Sequence, residues 1–102
     1  MNRLFGKNVI KIAAPQDRKE LKFEMLHDHD GFNSINVRFF NADNSPITID
    51  FSDLAIQMLF DPDTESTSLG EFEYVKAIEN GFEVCGDFGI IWVYCDSSSP
   101  KL

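Results

Sequence analysis

The stretch that most constrains this chain is 80–95, NGFEVCGDFGIIWVYC. It predicts two β-strands, over 82–85 and 90–95, joined by the turn Gly86-Asp87-Phe88-Gly89. The second run is β-branched and aromatic on both faces, the pattern of a strand buried in the middle of a sheet. With Asp87-Phe88 at the centre of the turn, Cys85 faces Ile90 and Cys95 faces Asn80. The two thiols are then too far apart for a disulfide, whose Cα atoms must lie within about 7 Å. Both cysteines read as small buried hydrophobes.

The rest of the chain supplies further strands by its period of two. Residues 8–14 place Ile10 and Ile12 on one side. Residues 20–26 place Leu21, Phe23 and Met25 on one face, with Lys22 and Glu24 on the other. Residues 34–40 turn Ile35, Val37 and Phe39 inward, and after the turn formers of 41–46 residues 47–51 return with Ile47, Ile49 and Phe51. These last two segments read as an antiparallel hairpin. Ser52 or Asp53 then caps a short helix, with Leu54, Ala55, Met58 and Leu59 as its apolar stripe and Asp61-Pro62 as its end.

Residues 71–80 stay open between helix and strand. Ser68-x-x-Glu71 has capping-box spacing and Asn80-Gly81 stops a helix well. Against that, Phe72, Tyr74, Val75 and Ile78 are poor helix formers, and Asn80-Gly81 equally suits a hairpin turn. The expected fold is α+β: one domain over 1–96, mainly an antiparallel sheet of about five to seven strands with one or two helices packed on it. Residues 97–102 read as a flexible tail.

A chain of 102 residues with 43% apolar residues and ten Phe holds one real core. No apolar run approaches the roughly 20 residues of a membrane-spanning helix. Lys7, Asn8 and Lys11 break up the apolar core that a secretory leader needs, so the expected home is the cytoplasm. The net charge is −8 and is unevenly spread. Residues 1–60 hold eight acids against seven bases, whereas 61–96 hold nine acids against Lys76 alone. That asymmetry argues against nucleic acid and anionic membranes as partners, and for something basic.

Chemistry-bearing motifs are sparse. His27 and His29 have a familiar metal spacing, with Asp28 and Asp30 between and after them, but zinc needs further ligands. The carboxylates of Asp61, Asp63 and Glu65 are a possible source, which leaves a small metal-binding module or enzyme as one alternative. As a calcium loop that run lacks the glycine and glutamate of the helix–loop–helix pattern. Asp87-Phe88-Gly89 spells a kinase tripeptide without the rest of a kinase. No phosphate-binding glycine loop or nucleophile elbow is present, and no catalytic residue, cofactor or metal ligand is assigned.

The anionic half remains. If 71–80 is a strand, Glu71 and Glu73 alternate with Phe72 and Tyr74, which sets carboxylates beside aromatic anchors as protein interfaces do. In size, acidity and architecture, although in no signature motif, the chain resembles bacterial immunity proteins of contact-dependent growth inhibition and related polymorphic toxin systems. The resemblance implies a non-enzymatic inhibitor, monomeric when free, that covers the active site of a cognate toxin domain, commonly a basic nuclease. Asp61, Asp63, Glu65, Glu71, Glu73 and Asp87 would then meet the toxin's cations, with Phe72 or Tyr74 filling a pocket. A DNA-mimicking anti-restriction protein is the other alternative, sharing the charge logic with a different partner.

Overall fold

The computed structural model describes residues 7–26, 34–61 and 66–101, which form ten strands. They are β1 (Val9–Ala13), β2 (Glu20–Leu26), β3 (Ser34–Phe40), β4 (Thr48–Asp50), β5 (Leu59–Asp61), β6 (Ser66–Ser68), β7 (Phe72–Ile78), β8 (Gly81–Gly86), β9 (Gly89–Tyr94) and β10 (Ser97–Lys101). All pairings are antiparallel. One sheet runs β1-β2-β3-β10, a second β4-β9-β8-β7, and β5-β6 forms a separate ribbon.

The alternation that predicts β2 and β3 also builds the core. Leu21, Phe23 and Met25 of β2 are fully buried, as are Val37 and Phe39 of β3. Opposite them the second sheet contributes Phe72, Val84, Ile91 and Val93, and the β8–β9 turn contributes Phe88. Phe23 is the hub. Its ring lies 5.8 Å edge-on from Phe72, 5.7 Å from Phe88 and 6.0 Å from Phe39. Full burial of each such side chain is worth about 1.5–3 kcal/mol. At one edge the sheets meet, through an Asn8–Glu71 bridge and a bond from the Phe72 amide to the Lys7 carbonyl.

No helix forms among the described residues, so the expected α+β class is corrected to an all-antiparallel β fold. The helix expected after Ser52 fails because the second sheet takes its backbone groups. The Ala55 amide bonds to the Phe88 carbonyl at 2.7 Å, and the Asp53 carbonyl accepts from Ile90 at 3.0 Å. Only a single turn survives, from the Leu54 amide to the Phe51 carbonyl. A helix this short is marginal in water and loses to sheet partners already in place. The open segment 71–80 is strand β7, and its hairpin loop is Glu79-Asn80, with Asn80 at φ 65.

The expected hairpin between β3 and β4 also gives way: β3 pairs with β2 and β10, and β4 pairs with β9. Residues 41–47 instead carry the chain from one sheet to the other. The return crossing comes at Cys95 and Asp96, after which Ser97–Lys101, read from the sequence as a tail, pairs along β3. Asn41 and Asp96 clasp the two crossings together. The Ala42 amide donates to the Asp96 carboxylate at 2.8 Å, and the Asp96 amide donates to the Asn41 side chain at 3.0 Å.

Candidate interaction surface

Beyond Leu54 the chain leaves the core. Leu54 bridges to Gly89, but Ile56, Met58, Leu59 and Phe60 are 51%, 65%, 38% and 62% exposed. These are four large apolar residues exposed within five positions, of the kind that marks contact sites when they gather on a surface. β5 pairs Leu59 with Ser68 and Phe60 with Thr67, which holds these two on a two-stranded ribbon.

Leu59 and Phe60 border a groove of about 270 Å³ that is also lined by Asn8, Ser68, Gly70, Glu71 and Asp87. Two carboxylates expected to meet a partner, Glu71 and Asp87, are therefore brought together beside the apolar ribbon. Two bonds tie the Asp87 carboxylate and amide to the Glu71 backbone. The Glu71 amide donates to Asp87 Oδ2 at 2.9 Å, and the Asp87 amide donates to the Glu71 carbonyl at 3.0 Å. Gly70 makes this approach possible: it sits at φ 95, and a Cβ there would collide with the Asp87 side chain. Both acidic residues remain exposed.

Glu73 and Tyr74 go elsewhere. A register shift between Phe72 and Tyr74 breaks the strand's alternation and sets Tyr74 opposite Cys85. The Cys85 thiol donates to Glu73 Oε2 at 3.6 Å. The Tyr74 hydroxyl is pushed up to about 12, first by its hydrogen bond to Cys85 and then by burial. Burial chiefly raises the Cys85 thiol as well, with Glu73 adding to the rise. A thiol held protonated is a poor nucleophile.

Phe72, expected as a possible anchor, is fully buried against Phe23 and cannot reach a partner. Asp61 has its backbone in β5, whereas Asp63, Glu65, His27, Asp28, His29 and Asp30 lie outside the described residues. Among the described residues, no group of three or more His, Cys, Asp or Glu side chains could hold a metal ion. No helix there is long and apolar enough to cross a membrane.

Sequence reasoning missed the ribbon because Met58 and Leu59 also fit a helical stripe. The signal that could have found it is Phe60, a large apolar residue off that stripe and next to Asp61-Pro62. The 90–95 run, expected to be covered on both faces, is covered on one. Ile91, Val93 and Cys95 are buried, whereas Trp92 is half-buried and Tyr94 is 39% exposed. Comparison with protein-family models, curated proteins and solved structures finds no match for the chain.

Proposed function

We propose that this protein is a non-enzymatic captor of a basic protein domain, acting as an immunity protein does by covering the active site of a cognate toxin. The observation that carries the reading is the setting of the exposed ribbon residues Leu59 and Phe60 around one groove with the acidic residues Glu71 and Asp87. Apolar anchors desolvate the centre of such an interface, and a charged rim chooses the partner and speeds encounter. The net charge of −8, concentrated after residue 60, supplies the long-range attraction.

The test is capture of the C-terminal domain of the protein encoded immediately upstream, at low and high salt, with that domain's activity followed in parallel. The proposal expects salt-sensitive binding that suppresses the activity. Phe60→Ala should speed dissociation, and Glu71→Gln should mainly slow association. Binding that ignores both substitutions, or that leaves the activity intact, overturns the proposal.

A further inference from the structure

The outer face of the β4-β9-β8-β7 sheet carries a second arrangement of aromatic and anionic side chains. Across the strands, Asp50 lies opposite Trp92, Trp92 opposite Glu83, and Glu83 opposite Lys76. Directly opposed side chains begin about 4.5–5.5 Å apart, so Asp50 and Glu83 leave the sheet on either side of Trp92. The Trp92 Nε1–H donates to Asp53 Oδ2 at 2.8 Å, which ties the ring to the segment after β4 and brings a third carboxylate alongside. In the next row Tyr94 stands opposite Thr48 on one side and Gly81 on the other. Gly81 is there because a Cβ would strike the Val93 carbonyl, and its missing side chain leaves Tyr94 open on that flank.

We propose that this face is a second docking surface, which holds an arginine- or lysine-bearing segment of a protein partner over Trp92, between Asp50 and Glu83. Charge complementarity selects the occupant. A cation within about 6 Å of an indole ring is attracted by the ring and, here, by carboxylates on both neighbouring strands. The single cation of the row, Lys76, stands on the outermost strand. Asp50 keeps its charge because the Ser52 side chain and amide hydrogen-bond it and lower its pKa. The face of a sheet lacks the concavity that small-molecule sites need, whereas it suits an extended segment of a macromolecule.

The inference rests on reading the chain as a captor of cationic protein, but it can fail separately, because the ribbon plays no part in it. Trp92 is the sole tryptophan, so its fluorescence reports the site alone. The full chain is titrated with a hexa-arginine peptide at about 0.01 M salt and again at about 1 M, where the Debye length falls from about 30 Å to about 3 Å. The expected result is a saturable emission change at low salt that vanishes at high salt. In the Asp50→Asn, Glu83→Gln double variant the apparent Kd should weaken at least tenfold; both replacements are isosteric, and Asn keeps an acceptor for the Ser52 amide. Phe60→Ala should leave the titration unchanged. No saturable change, an equal response in the double variant, or loss of the response in Phe60→Ala instead would each overturn the assignment.

Discussion

Phe60 and Phe72 are the same residue type twelve positions apart in the chain, and the fold gives them opposite duties. Phe60 is 62% exposed on the ribbon, whereas Phe72 is fully buried, with its ring 5.8 Å from Phe23 and 6.4 Å from Phe88. Phe72→Ala removes a packed ring and leaves a cavity that neighbouring aromatics cannot fully close, a loss of about 3–5 kcal/mol. Against a total stability of roughly 5–15 kcal/mol, that is a large fraction. With a urea m-value of about 1–3 kcal/mol/M, the midpoint should drop by about 1 M or more at unchanged slope. Phe60→Ala should move stability by no more than about 0.5 kcal/mol. Its effect should fall on partner capture, where the lost burial of about 1.5–3 kcal/mol weakens Kd about 10- to 100-fold. The assay is a urea melt of the parent and both variants, followed by binding of the partner domain to those that fold. A Phe72→Ala loss below about 1 kcal/mol, or a Phe60→Ala loss above about 2 kcal/mol, would refute the division between core and surface.

Gly70→Ala should destabilise the chain by about 1–3 kcal/mol, because φ 95 strains any L side chain and the new Cβ drives Asp87 off the Glu71 amide. Asp87→Gly, made with it, should recover part of the loss in the same melt. Tyr74, followed by ultraviolet titration in a Tyr94→Phe chain, should ionise near 12 and fall back towards 10 in Cys85→Ala. Because its folded pKa lies above the unfolded value, the associated stabilisation is complete below about pH 10 and disappears as pH rises through about 12.

What the sequence makes legible is whatever the period of two governs without interruption. Leu21, Phe23 and Met25 read inward and are inward, and the β8–β9 turn has the predicted register, with Cys85 opposite Ile90. The failures are local and physical. A register shift between Val9 and Lys11 buries Val9 and leaves Ile10 36% exposed, so the Ile10–Ile12 alternation breaks. A second shift, after Phe72, turns Tyr74 away from its expected place. Periodicity sees neither, because a bulge inserts a residue that pairs with nothing. The helix after Ser52 fails for a different reason. Its residues suit a helix, but the carbonyl of Phe88 and the amide of Ile90 lie far along the chain and decide otherwise. Of the candidate site, the acids were legible and their grouping was not: Glu71 joins Asp87 only because the β8–β9 turn returns to the start of β7.

The topology also converts an asymmetry along the chain into one in space. Apart from Lys76 and Lys101, every Lys and Arg lies within residues 1–38, the part that builds β1, β2 and β3. Acids on that sheet are answered locally: Glu24 pairs across strands with Lys11, and Glu20 lies 3.6 Å from Arg38. Asp50, Glu73, Glu83 and Asp87 belong to the other sheet or its turn, which has Lys76 as its one cation. The two faces therefore present different fields to an approaching charge. A cationic partner is drawn towards the second sheet and held less by the first, so attraction also orients the encounter. Reversing Glu71 or Glu83 should slow association far more than reversing Glu24 on the first sheet, although each makes the net charge less negative by the same amount. A kinetic comparison at low salt in which only total charge mattered would remove this orienting role from the account.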